Sequence, residues 1–192
     1  MAVLIRPYEE RDERGWLICR LLSFFDSAFF DDVARNKERY EKEAIELVAE
    51  QNGAIVGLLD LECESEGLSD RPGTGGMIWH LAVHPDHQRQ GIASGLLAEA
   101  ETRAAARGIA RLEAWTRDDA ATQRWYEQHR FRQIYSYLHV YLERDDLRAY
   151  DGDLKLVKAF AHYTGDRPDE TRARYERVHD DVLYEKRLAP AA

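Results

Sequence analysis

His80-Leu81-Ala82-Val83-His84-Pro85-Asp86-His87-Gln88-Arg89-Gln90-Gly91-Ile92-Ala93-Ser94-Gly95-Leu96-Leu97 is the stretch from which the rest of the chain is read. An apolar strand stops at a proline, a short loop follows, and a turn of small residues opens directly into a helix. The first N–H groups of a helix lack internal partners and lie at the positive end of its dipole, so such a turn suits a phosphate-type anion. Gly91 and Ala93 count for what they lack, since a bulky side chain at either would hold a diphosphate away from the backbone. The same signs also describe an ordinary small-residue helix start. Two phosphate loops are excluded: the Gly-x-x-x-x-Gly-Lys-Ser/Thr spacing is missing, and so is Gly-x-Gly-x-x-Gly.

Working outward, residues 77–83 form the strand ahead of the turn, and alternation puts Met77, Trp79 and Leu81 on one face and Ile78, His80 and Ala82 on the other. Residues 91–107 form a helix carrying Ile92, Leu96, Leu97, Ala100 and Ala104, which Gly108 ends, and strand 109–115 completes a βαβ unit. Residues 120–128 are a helix with Asp118 or Asp119 as N-cap, followed by a long aromatic-rich strand at 131–142. Toward the start, 3–6 is a short strand that Pro7 ends, 9–22 is helical, and 23–40 is a second short helix or an aromatic-lined loop. Strands 44–50 and 54–63 flank Gln51-Asn52-Gly53, a hairpin turn because Asn-Gly supplies positive φ. A glycine-rich connection covers 64–76. Beyond the long strand come a polar loop at 143–153, helices at 154–163 and 168–178, and a closing strand at 181–188.

The 192 residues suit one domain with a substantial core, 44% hydrophobic and 33% charged. The longest apolar runs are too short to cross a bilayer, and no basic segment leads an apolar one at the start, so the cytoplasm is the expected compartment. A net charge of −9 without a Lys/Arg cluster argues against nucleic acid and anionic lipid as partners, while it would attract a cationic amine. Cys19 and Cys63 lack metal-ligand spacing and read as two reduced thiols; His84 and His87 read as loop residues, and no metal is expected.

Gln88-Arg89-Gln90-Gly91-Ile92-Ala93 resembles the Gln/Arg-x-x-Gly-x-Gly/Ala signature of the GNAT acetyltransferases, preceded by their Leu-x-Val strand. Ile5-Arg6-Pro7, the Asn52-Gly53 hairpin, Asp119 with Trp125-Tyr126, and Tyr184-Glu185-Lys186-Arg187-Leu188 agree with it in order. The resemblance covers 3–142 and 181–188, and 143–180 stands as an insertion before the last strand. It implies an α/β fold, a mixed twisted sheet flanked by helices and splayed between strands 77–83 and 109–115, with acetyl-CoA in the splay.

Residue by residue, the resemblance implies that the backbone of Gln88, Arg89, Gln90, Gly91, Ile92, Ala93 and Ser94 holds the CoA diphosphate. The edge of Leu81, Ala82 and Val83 would pair with the pantetheine amides, Val83 N–H polarising the thioester carbonyl. A primary amine would attack in a ternary complex, with Tyr126 protonating the departing thiolate. The alternative for Tyr126 is a packed aromatic beside Trp125. Two positions depart from the family pattern: Asp119 stands where Asn is common, so it either contacts the cofactor or only caps its helix, and Arg130 stands where Gly is common. For the general base, Glu62, Glu64, His80 and Asp118 are candidates, and His80 reads better as structural. The acceptor, a small-molecule or peptide amine, would lie beside 23–40 and 64–76, and 143–180 would cover it or make a homodimer contact. The rival reading is a non-catalytic acyl-CoA-binding sensor or interaction module.

Overall fold

The computed structural model describes residues 2–63, 74–147 and 156–189. In chain order these are β1 (Leu4–Pro7), α1 (Glu13–Phe25), β2 (Ala44–Gln51), β3 (Ala54–Cys63), β4 (Gly75–Val83), α2 (Ile92–Ala106), β5 (Arg111–Thr116), α3 (Ala120–Gln128), β6 (Arg132–Glu143), β7 (Lys158–Tyr163), α4 (Pro168–Arg174) and β8 (Val178–Arg187). The strands form one mixed sheet in the order β1-β2-β3-β4-β5-β8-β6-β7. Among the described residues no helix is long and apolar enough to cross a membrane.

Each sheet face buries its own cluster. On one side Leu59, Leu61 and Ile78 meet Leu96, Leu97 and Ala100 of α2 and Tyr126 of α3; on the other Trp16 and Cys19 of α1 pack on Val48, Leu58 and Ala82. The hairpin between β2 and β3 turns through Asn52 at φ 55° and Gly53 at φ 78°, the left-handed pair expected from Asn-Gly. Cys19 and Cys63 are buried free thiols, and burial pushes Cys19 up to about 11.

Several sequence expectations are corrected. Residues 158–163, expected in a helix, are strand β7, because the open edge of β6 accepts them with Tyr141 opposite Phe160 and His139 opposite His162. Residues 154–155 lie outside the described set. Helix α4 stops at Arg174, and β8 begins at Val178 rather than 181. Residues 26–40 hold no helix and form the aromatic-lined loop. The connection at 64–76 lies outside the described residues except for 74–76, of which Gly75 and Gly76 open β4.

Strict alternation along β4 also fails. Its register passes from Leu61 opposite Ile78 to Asp60 opposite His80, leaving Trp79 as a bulge. Ile78 therefore shares the α2 side with Leu81 and Val83, while His80 and Ala82 face α1. The bulge lies where β4 leaves β5. Their parallel pairing ends at Ile78 opposite Ala114, and β4 continues to Val83 paired with β3 and not with β5.

Candidate active site

The parting of β4 and β5 opens a cleft of about 870 Å³. Leu81, Ala82, Val83, Gln88, Arg89, Gly91, Ile92, Ala93, Ser94, Asp119 and Tyr126 line it; of the expected cofactor contacts Gln90 lies outside the lining, as do the candidate bases Glu62 and Asp118. His84 N–H bonds to Val56 O of β3 at 2.9 Å. Because N–H and C=O directions alternate along a strand, Ala82 also points to β3, and Leu81 and Val83 turn their amides to the open side. Gln88 Nε2 folds back to within 3.4 Å of Val83 O on that edge.

The turn after β4 is shaped by two left-handed residues, Arg89 at φ 58° and Gly91 at φ 81°. Gly91 is the N-cap of α2 with no side-chain cap, and the first helical bond is Gly95 N–H to Gly91 O at 2.9 Å. The N–H groups of Ile92, Ala93 and Ser94 are thus left to an outside acceptor. A Cβ at Gly91 would meet nothing within 4 Å, so glycine answers the backbone there and leaves the space above the amides open. At Gly57 the reason is closeness: a Cβ would come within 2.8 Å of Ile92 Cγ2, so glycine lets α2 seat against β3.

One residue at this end escaped the sequence reading. His129, just past α3, places Nδ1 2.8 Å from Trp125 O and Nε2 2.8 Å from Ser94 Oγ, with its ring stacked on Trp125. A carbonyl only accepts, so Nδ1 carries the proton and the Ser94 hydroxyl donates to Nε2. A helix-terminal histidine was the sole sequence signal. Asp119 caps α3, accepting from Ala121 N–H at 2.9 Å and from the Thr122 hydroxyl. Burial raises its carboxyl, but those hydrogen bonds outweigh burial and hold it below the usual range.

Tyr126 is buried, stacked on Tyr184 with centroids 5.5 Å apart and edge-on to Phe131. Burial pushes its phenol above the ordinary value. The candidate bases are mostly engaged. Glu62 accepts from Trp79 Nε1 at 2.9 Å and from Lys42 N–H at 3.1 Å, and Asp118 lies 2.9 Å from His179 Nδ1. Arg20 Nε faces His80 Nδ1 at 3.5 Å, and His80 Nε2 lies 3.1 Å from Glu38. Burial, then the charges of Arg20 and Lys37, pushes His80 down to about 3. The ring is therefore neutral, and the Glu38 contact is a hydrogen bond from Nε2–H rather than an ion pair. Glu64 lies outside the described residues. Among the described residues no three His, Cys, Asp or Glu side chains are grouped to hold a metal.

The other wall is the loop after α1, from which Asp26, Ala28, Phe29 and Asp32 line the cleft. Arg177 holds Asp31 with two hydrogen bonds of 2.7 and 3.2 Å, and Arg117 donates to Ala28 O. Lys37 ties the far end of the loop to Asp60 at 2.8 Å, and Tyr40 donates to the same carboxylate. No described residue of 143–180 lines the cleft; Arg177 meets its wall by donating to Ala28 O at 3.3 Å.

Comparisons with known proteins bear on the family and the fold. An "Acetyltransferase" of Yersinia pestis (strain Pestoides F) is 32% identical over 104 residues, 54% of this chain and 66% of that protein, so the chain spans a little under two thirds of that curated relative. The ribosomal-protein-S18-alanine N-acetyltransferase of Escherichia coli superposes with a TM-score of 0.62 at 16% identity, covering 100% of this chain and 97% of that one. PaiA N-acetyltransferase from Thermoplasma acidophilum, solved in complex with coenzyme A, superposes at 0.58 with 12% identity, covering 98% and 100%. At such identities these two show the fold. The model of the acetyltransferase (GNAT) family matches residues 8–131, and the chain belongs to that family.

Proposed function

We propose that the protein is an acetyl-CoA-dependent N-acetyltransferase that brings a primary amine and the thioester together in one ternary complex. The observation carrying this reading is that one cleft holds two sets of backbone donors turned to the open side, the strand edge at Leu81 and Val83 and the uncapped first turn of α2. Its parts fit an extended ligand with a diphosphate at one end. The left-handed turn and the amides of Ile92, Ala93 and Ser94 would hold the diphosphate, and Leu81 and Val83 would pair with the pantetheine amides. Acetyl-CoA supplies the activated acyl group and a thiolate leaving group.

Val83 N–H, fixed at the end of a strand, would donate to the thioester oxygen as charge develops on it. Tyr126 stays protonated because its phenol lies above the ordinary value of about 10. Against a thiol of about 8.5, full proton transfer is uphill, so Tyr126 would act as a hydrogen-bond donor to the sulfur. Neither cysteine lines the cleft, which supports direct attack over an acyl-cysteine route.

Calorimetric titration of acetyl-CoA and CoA into the protein and into Gly91→Glu tests the reading. The reading expects binding to the wild type that the variant loses, followed by acetyl transfer to members of an amine panel. No binding to the wild type would end it. Binding without transfer to any amine would favour the sensor reading.

A further inference from the structure

Helix α1 is apolar on two sides. Trp16 and Cys19 face the sheet, yet Ile18, Leu21, Leu22 and Phe25 remain 45%, 43%, 39% and 68% exposed. Their spacing of three, four and seven residues makes one outward stripe. Among the described residues no element covers this stripe. Contiguous apolar surface of this kind marks an interaction site.

Two observations say what would cover it. First, the stripe runs into the cleft: Leu22 belongs to both, and its neighbours Ser23, Phe24 and Asp26 line the cleft wall. Second, Asp26 caps the C-terminal end of α1, whose last turn has no basic residue. A carboxylate at the negative end of a helix dipole is electrostatically unfavourable, and a bound cation relieves it. Of the cleft-lining carboxylates, Asp32 is held by Arg20 at 2.7 Å and Asp119 by its helix, whereas Asp26 has no partner among the described residues.

Resting on the acetyltransferase reading, we infer that the acceptor is the N-terminal α-amine of a polypeptide, drawn in past Asp26, whose next residues lay apolar side chains on the α1 stripe. Ile18 to Phe25 spans about 10 Å of helix, and an extended chain covers that in about three residues. A small amine held inside the cleft reaches no more of it than Leu22. The stripe is a shallow surface rather than a tunnel, which suits a chain that keeps one side hydrogen-bonded to water. Acidic residues near the acceptor terminus are disfavoured by Asp26 and by the net charge of −9.

The test measures acetyl transfer from acetyl-CoA to three probes: a decapeptide with apolar residues at its second to fourth positions, the same peptide with glutamates there, and the amide of its first amino acid. The apolar peptide should exceed both others in kcat/KM by about tenfold, as expected for partial burial of a few apolar side chains. The double variant Leu21→Glu/Phe25→Glu should lose that advantage while keeping acetyl-CoA affinity and the rate on the amide. Equal rates on peptide and amide, or an unaffected double variant, would overturn the inference, as would acetyl-CoA binding without any peptide acetylation. Sedimentation showing a wild-type dimer that the double variant breaks, with peptide rates unchanged, would assign the stripe to a second copy instead. Failure of acetyl-CoA to bind would sink the acetyltransferase reading itself.

Discussion

Replacing His80 with glutamine should change how the protein responds to acid, in a direction and by an amount that its surroundings set. Burial, then the charges of Arg20 and Lys37, brings His80 down to about 3, against about 6.5 in an unfolded chain. A base depressed in the folded state stabilises fully above its unfolded value. That stabilisation is lost as pH falls below it, because only the unfolded chain then takes the proton. At about 1.4 kcal/mol per unit, His80 gives up about 3 kcal/mol between about pH 6.5 and 4. Asp60, paired with it across β3 and β4, runs the other way. Burial raises Asp60 to about 6, with Lys37 opposing. The folded state therefore takes that proton before the unfolded chain does at about 3.9, adding about 3 kcal/mol over nearly the same range. The two slopes offset in the wild type. In His80→Gln only the Asp60 slope remains, so from pH 7 to 4 the variant should gain about 3 kcal/mol relative to wild type. Urea unfolding at closely spaced pH values measures this, and parallel profiles would refute a neutral, buried His80.

Tyr126→Phe should lower kcat by about tenfold to a hundredfold with acetyl-CoA affinity unchanged; an unaltered rate would reduce Tyr126 to packing beside Tyr184. Arg130 sits at φ 67°, and Arg130→Gly should stabilise by about 0.5–1 kcal/mol, a Tm rise of about 1–4 °C by calorimetry. An unmoved or lower Tm would contradict strain at that residue. Gly57→Val would push on Ile92 Cγ2 and Leu96 Cδ1, which an added Cβ approaches to 2.8 and 3.1 Å. It should cost about 1–3 kcal/mol and weaken acetyl-CoA binding by shifting the first turn of α2. Undiminished affinity would mean that the turn is held independently of β3.

Much of the architecture was legible because it is written in short-range chemistry. The Asn52-Gly53 turn, the strand into Gly91 and the helix beyond it each follow from backbone preferences of neighbouring residues. Gly91 shows both the reach and the limit of such reading. A helix start bare of side chains was foreseeable, whereas φ 81° needed the structure. Arg130, read only as a departure from a glycine pattern, proved to occupy the left-handed conformation that makes glycine usual there.

Strand β7 was missed because 158–163 becomes extended only against the free edge of β6, a pairing that no local pattern announces. The bulge at Trp79 likewise depends on the register between β3 and β4, and it reverses the faces that alternation assigns. Ser94 and His129 stand 35 residues apart, and Arg177 and Asp31 stand 146 apart. Sequence alone determined where the chain turns, where a helix can begin and where an anion can meet bare N–H groups, since these follow from neighbouring residues. Which side chains face one another across the cleft was decided only by the sheet order β4-β5-β8-β6, because pairing and packing bring together residues that the chain keeps far apart.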